Sequence, residues 1–133
     1  GCPHSAIRED ISINLLAVEE MKKKFPDLEL LLLESGGDNL AATFSPELVD
    51  MSIYMFDVCM GQDIPRKKSP AIIKSDLLVI NKIDLAPYVN VDLEQMKKDV
   101  EEARNGLPYV FCDMKKNIGI DKISDFLISE GGL

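Results

Sequence analysis

Short apolar runs alternate with amphipathic segments along the 133-residue chain. Four runs predict buried strands, and their lack of polar alternation is typical of a parallel sheet that is covered on both faces. These runs occupy residues 28–33, 52–58, 76–80 and 109–113. Helical spacing predicts three helices: over 5–24, from an N-cap at Asp92 to near Gly106, and from near Asp121 onward. Strands that alternate with helices predict a doubly wound parallel α/β sheet.

Polar residues follow the first three predicted strands directly. Segment 34–39, which reads Glu-Ser-Gly-Gly-Asp-Asn, follows the first strand, Asp57 closes the second, and segment 81–84 follows the third. Ligands of open α/β sheets bind beyond the carboxyl ends of the strands. We therefore expect these three groups to converge on one site.

Segment 81–84 reads Asn-Lys-Ile-Asp and predicts guanine recognition. The Asp84 carboxylate can accept two hydrogen bonds from the N1–H and N2–H₂ edge of guanine, and adenine offers no such pair of donors. Asn81 could hold the loop or contact the O6/N7 edge, while the stem of Lys82 lies along the flat face of the base. Lys115, after the fourth strand, could contact O6. The alternative is a strand that ends in an ordinary polar turn.

The segment 34–39 combines an acid with two glycines. Glu34 could hold Mg²⁺ directly or through water, since this cation prefers carboxylate and water oxygens. The N–H groups of Gly36 and Gly37 can closely approach a terminal phosphate because no Cβ intervenes. Glu34 and Gly37 are therefore the candidate catalytic residues. The alternative is an ordinary turn between a strand and a helix.

Cys2 and His4 place a thiolate and an imidazole two residues apart. This pair suits Zn²⁺, copper or Ni²⁺ rather than Mg²⁺ or Ca²⁺. Two ligands do not complete a site, but a two-fold dimer would supply both residues twice and give four ligands. The alternative is a chain terminus whose cysteine and histidine bind nothing.

Composition narrows the class of protein. The length suits one domain, and the net charge of −8 argues against nucleic-acid binding, which needs a basic surface. No apolar run reaches membrane-spanning length, and we expect no signal peptide. The three cysteines are widely separated, which argues against a disulfide framework and favours a reducing, cytoplasmic setting.

In this order, the motifs closely resemble the UreG family of urease accessory GTPases. The resemblance covers almost the whole chain and is carried by segments 1–4, 6–10, 34–40, 64–67 and 76–86. It implies GTP-dependent delivery of nickel to urease in the cytoplasm, with Ni²⁺ bound between two protomers by Cys2 and His4 of each. It also implies guanine recognition by Asn81, Lys82 and Asp84. The implied partners are GTP or GDP, a second copy of the chain, other urease accessory proteins and apo-urease.

Members of that family carry a P-loop, Gly-x-x-x-x-Gly-Lys-Ser/Thr, before Cys-Pro-His, and none of the eight glycines here begins one. We therefore expect residues 1–133 to be the carboxyl-terminal portion of a single GTPase domain, with little GTP binding of its own because the P-loop supplies most phosphate contacts. Two alternatives stay open. One is the related hydrogenase-maturation nickel GTPase, and the other is a non-catalytic metal-binding or scaffold module.

Overall fold

The computed structural model describes residues 12–34 and 49–133. The chain divides into two compact units, Gly1–Asp50 and Met51–Leu133. In the first unit, helix α1 spans Ser12–Lys24, which confirms the described part of the first predicted helix. Three lysines fill its last turn, where cations complement the helix dipole.

The strand predicted over 28–33 is wrong. Residues 28–34 have no regular secondary structure, and Leu30 and Leu32 are 44% and 75% exposed. The N–H group of Leu28 instead donates to the carbonyl of Phe25 at 3.1 Å, in the turn that follows α1. An extended segment becomes a strand only by hydrogen bonding to a neighbour, and the sheet of the described residues contains other segments. An apolar run indicates a tendency to bury, but it does not identify a pairing partner.

The second unit contains a parallel sheet in the order β1-β2-β3. Its strands are β1 (Ile53–Asp57), β2 (Leu77–Asn81) and β3 (Tyr109–Phe111), which confirms the other three predicted strands. In the central strand, Leu77 to Ile80 are each no more than 1% exposed. Burying such a side chain contributes about 1.5–3 kcal/mol, so β2 is the main apolar anchor of this unit.

Helices cover both faces of the sheet. Leu78 and Ile80 belong to one buried cluster, together with residues of α2 (Pro70–Lys74) and α3 (Leu93–Arg104). Leu77 and Val79 belong to a second cluster, against which Ile123 and Phe126 of α4 (Ile120–Gly131) pack. Because successive side chains of a strand point to opposite faces, β2 must be apolar at every position. The predicted doubly wound parallel sheet is confirmed.

The ends of α3 follow from local chemistry. The carboxylate of Asp92 accepts hydrogen bonds from the N–H groups of Glu94 and Gln95, at 3.0 and 3.3 Å, and so caps the helix as predicted. At the other end, Asn105 and Gly106 both have positive φ angles, 46° and 94°, which end the helix. Helix α3 therefore returns the chain to the start of β3.

Arg104, the last residue of α3, is 1% exposed. Its guanidinium donates to the carbonyl oxygens of Ile72, Ser75 and Pro108, at 3.0, 2.7 and 2.7 Å. One side chain thereby connects the end of α2 with the segments that lead into β2 and β3.

Candidate functional site

The candidate site lies at the carboxyl edge of β1 and β2. Asp57 and Asn81 are the last residues of these strands and are partners in the parallel register. Lys82 follows with φ 60° and ψ 39°, a left-handed conformation that ends β2 abruptly. The 3₁₀ turns of Ile83–Val89 then begin, with Asp84 in the first turn. The strand register therefore brings Asp57 beside segment 81–84.

Asn81 connects this edge to the loop after β3. Its side-chain oxygen accepts a hydrogen bond from the N–H group of Met114 at 3.0 Å and a weaker one from the thiol of Cys112 at 3.6 Å. Both contacts use Oδ1, so this loop does not engage the side-chain NH₂ group of Asn81. The sequence allows Asn81 either to hold the loop or to contact the base, and the structure shows the contact with the loop. Contact with a base stays a prediction.

The protonation of Cys112 supports this connection. Burial, together with the nearby negative charge of Asp113, raises the pKa of the Cys112 thiol. The thiol is therefore protonated at neutral pH and can donate to Asn81.

The loop itself is tightly folded. The main chains of Asp113 and Ile118 exchange two hydrogen bonds of 2.9 Å, and the Asp113 carboxylate accepts one from the N–H group of Lys116 at 3.3 Å. Gly119 closes the loop with φ 84°, and a Cβ there would lie 2.9 Å from the Cβ of Cys112, so only glycine fits. The loop, which carries Lys115, thus has a defined shape beside Asn81.

Two ion pairs complete the edge. The ammonium of Lys82 lies 3.2 Å from the Asp57 carboxylate, and that of Lys116 lies 3.7 Å from the Asp84 carboxylate. The Asp84 side chain is 36% exposed and that of Lys82 is 52% exposed. A carboxylate and a lysine stem are therefore both accessible to a ligand, which could donate hydrogen bonds to the carboxylate and pack a flat face on the stem.

The other predicted site residues belong to the first unit or lie outside the described residues. Glu34 is an exposed residue of the first unit. Cys2, His4, Gly36 and Gly37 lie outside the described residues. Within 12–34 and 49–133, no three or more His, Cys, Asp or Glu side chains cluster as a metal site. The described helices include none with the length and apolarity needed to cross a membrane.

Sequence reasoning missed the ion-pair partner of Lys82 and the role of Cys112. The sequence places Asp57 at the site only as the end of a strand, without a partner, and it assigns no contact to Cys112. The contacts of Asn81 span 31 and 33 residues of sequence. The available signal was that Asp57, Asn81 and Cys112 each lie at the carboxyl end of a predicted parallel strand.

Comparison with known proteins adds the family. A model described as the CobW/HypB/UreG nucleotide-binding domain matches residues 1–111. The crystal structure of the hydrogenase maturation factor HypB from Archaeoglobus fulgidus is similar with a TM-score of 0.74 and 32% identity, over 88% of this chain and 58% of that one. HypB from Helicobacter pylori, crystallised in complex with nickel, shares the fold with a TM-score of 0.53 and 22% identity, over 61% of this chain and 38% of that one. The chain thus spans less than two thirds of each HypB.

Proposed function

The chain belongs to the CobW/HypB/UreG nucleotide-binding domain family, and from this premise we propose that it is the carboxyl-terminal portion of a nickel-delivering GTPase. In this proposal Asn81, Lys82 and Asp84 bind the guanine base of GTP or GDP. Nickel is the cargo, and urease is the enzyme that receives it. Bound GTP supplies the phosphoanhydride bond whose hydrolysis drives release.

One observation carries the guanine assignment. The side-chain oxygen of Asn81 accepts from the Met114 N–H group at 3.0 Å and so holds the loop after β3. Asn81 is also the register partner of Asp57 on β1 and lies three residues before the accessible Asp84. Segment 81–84 therefore carries an amide, a lysine stem and a carboxylate at the carboxyl end of β2. A carboxylate in this position selects a base with two adjacent donors, which guanine has and adenine lacks.

The phosphate and magnesium half of the site is assigned to residues 34–39. Glu34 would hold Mg²⁺, and the N–H groups of Gly36 and Gly37 would contact the terminal phosphate. A P-loop supplied by sequence before Gly1 would hold the remaining phosphates. The match to only 58% of the Archaeoglobus HypB supports a longer protein.

The test of the guanine assignment is base selectivity in the intact protein. We expect calorimetry in the presence of Mg²⁺ to show that GDP binds at least about 100-fold more tightly than ADP, because a site built for paired donors strongly rejects an analogue that lacks them. Both nucleotides carry the same phosphates, so the ratio reports on the base alone. Equal affinities for GDP and ADP would contradict the proposal.

Two branches of the family compete for the cargo assignment. Glu-Ser-Gly-Gly-Asp-Asn at 34–39, together with Cys-Pro-His at 2–4, favours the urease branch. The similarity to the Archaeoglobus HypB, at 32% identity, favours hydrogenase maturation as the second candidate. Both branches share nickel as cargo and GTP as ligand.

Nickel binding is tested by Cys2→Ala and His4→Ala. We expect each substitution to abolish Ni²⁺-dependent dimerisation in sedimentation velocity, because each removes two of the four ligands of a two-fold site. The control is Cys59→Ala, which removes an exposed thiol from the turn after β1. Metal-dependent dimers of the Cys2 and His4 variants would show that other residues bridge the protomers.

A separate assay identifies the enzyme that receives the nickel. Activation of apo-urease by the nickel-loaded wild type supports the urease branch, and activation of apo-hydrogenase alone supports the second candidate.

A further inference from the structure

We propose that Asp57 is a positioning residue for base recognition, which anchors the Lys82 ammonium and thereby fixes the lysine stem against the face of the bound guanine. This inference rests on the proposed function, because it concerns the same site. Asp57 itself does not contact the base in this proposal. It acts through Lys82.

The carboxylate of Asp57 is held by two separate contacts. Its Oδ1 accepts a hydrogen bond from the N–H group of Cys59 at 2.8 Å, which caps the 3₁₀ turn Val58–Met60. Its Oδ2 lies 3.2 Å from the ammonium of Lys82. The cap orients the carboxylate independently of the ion pair, so Asp57 presents a fixed negative charge to a flexible side chain.

The backbone of Lys82 is fixed on both sides. Asn81 precedes it and is tied to the Met114 N–H group, and the N–H group of Ile83 donates to the carbonyl of Cys112 at 3.3 Å. Lys82 itself adopts a left-handed conformation, which non-glycine residues rarely adopt. With the backbone fixed and the ammonium bound to Asp57, the four-carbon stem has few conformations left. A ligand that packs on this stem loses less side-chain entropy than it would against a free lysine.

The solvent exposure of Asp57 and Lys82 distinguishes a role in ligand binding from a role in folding stability. The two side chains are 24% and 52% exposed, and ion pairs with such access to water contribute little to folding stability. Removing the pair should therefore change ligand binding and leave the thermal unfolding of the protein unchanged.

The test is a double-mutant cycle with Asp57→Asn and Lys82→Met in the intact protein, followed by GDP titration calorimetry with Mg²⁺. Asparagine still accepts the hydrogen bond from Cys59, because it is as good an N-cap as aspartate. Methionine retains an apolar stem and loses the ammonium. We expect Asp57→Asn to weaken GDP binding about fivefold, which is the upper range for an exposed ion pair, and to have no further effect in the Lys82→Met background. The control is Glu102→Gln, which removes a carboxylate from another exposed ion pair, 3.6 Å from Lys68.

Two results would overturn the proposal: wild-type GDP affinity in Asp57→Asn, or the same fivefold loss in both backgrounds. The second result would mean that Asp57 acts on the nucleotide without Lys82. Inorganic pyrophosphate, which has no base, provides another readout, since its affinity should not change in Asp57→Asn. A parallel loss of pyrophosphate binding would also contradict positioning of the base. Failure of the proposed function is separate, because it would appear as a lack of GDP preference over ADP in the wild type.

Discussion

Asp84→Asn is expected to weaken GTP binding by about 100-fold while leaving Ni²⁺ binding unchanged. The carboxylate accepts from both N1–H and N2–H₂ of guanine, whereas an asparagine side chain has one acceptor and turns its NH₂ group toward a second donor. The loss of one charge-assisted hydrogen bond and the clash of two donors together cost about 3 kcal/mol, which corresponds to roughly 100-fold in Kd. Calorimetric titrations with GTP and with Ni²⁺ measure the two affinities separately.

Two controls make this result specific. Asp121→Asn changes the same charge at an exposed position in the first turn of α4, and it should bind GTP as the wild type does. Xanthosine triphosphate carries an oxygen where guanine carries the N2 amino group, so it should bind Asp84→Asn more tightly than GTP does. Loss of the exposed ion pair with Lys116 explains little of the effect, since such pairs contribute at most about 1 kcal/mol. If Asp84→Asn binds GTP with wild-type affinity, Asp84 does not read the base.

An apolar run in the sequence correctly predicts a strand only where the folded chain also supplies neighbouring strands for it to pair with. The apolar run at 76–80 predicts a strand covered on both faces, and β2 is the central strand, with helices on each side. The run at 28–33 is also mostly aliphatic, with one acid, and it forms no strand in the described structure. The difference lies in the neighbours. Hydrogen bonds to β1 and β3 define β2, and a single sequence does not specify such long-range partners.

The candidate site likewise combines residue types that the sequence reveals with long-range contacts that it does not. The residue types of segment 81–84 predict guanine chemistry, because the carboxylate, the amide and the lysine lie close together in the sequence, and this assignment stays a prediction. The contacts that shape this edge of the sheet connect Asp57 with Lys82 and Asn81 with Met114, across 25 and 33 residues. Such contacts depend on strand register, which only the folded sheet fixes.

Arg104 is a residue of the core whose long-range contacts the sequence also does not predict. An arginine in the last turn of a helix is normally explained by the helix dipole and by exposure to solvent. Here its side chain is buried, and burial lowers the pKa of its guanidinium, opposed by the charge of Asp76. An arginine keeps its charge under such a shift. The charged group is retained because the carbonyl oxygens around it need donors.

Arg104→Met is accordingly expected to destabilise the protein by about 2–4 kcal/mol, since each buried carbonyl left without a partner costs about 1–3 kcal/mol. Methionine approximates the length of the side chain but donates no hydrogen bonds, so the carbonyls of Ile72 and Ser75 lose this donor, whereas the Pro108 carbonyl still accepts from the N–H group of Leu78 at 3.3 Å. A loss of this size is a large fraction of the 5–15 kcal/mol that is typical of a folded domain. Urea denaturation of the intact protein measures it as a lower midpoint.

The matched control is Lys98→Met, which removes a cation from an exposed position of the same helix and should change stability by less than about 0.5 kcal/mol. Arg104→Lys discriminates further. A single ammonium retains the charge but cannot span groups on α2 and on the segment before β3, so its stability should lie between those of the wild type and Arg104→Met. If Arg104→Met unfolds at the wild-type urea midpoint, water satisfies these carbonyls, and the guanidinium does not hold the starts of β2 and β3 together. If it unfolds early, the stability of the sheet that carries Asp57 and Lys82 depends on a residue at the opposite end of the strands.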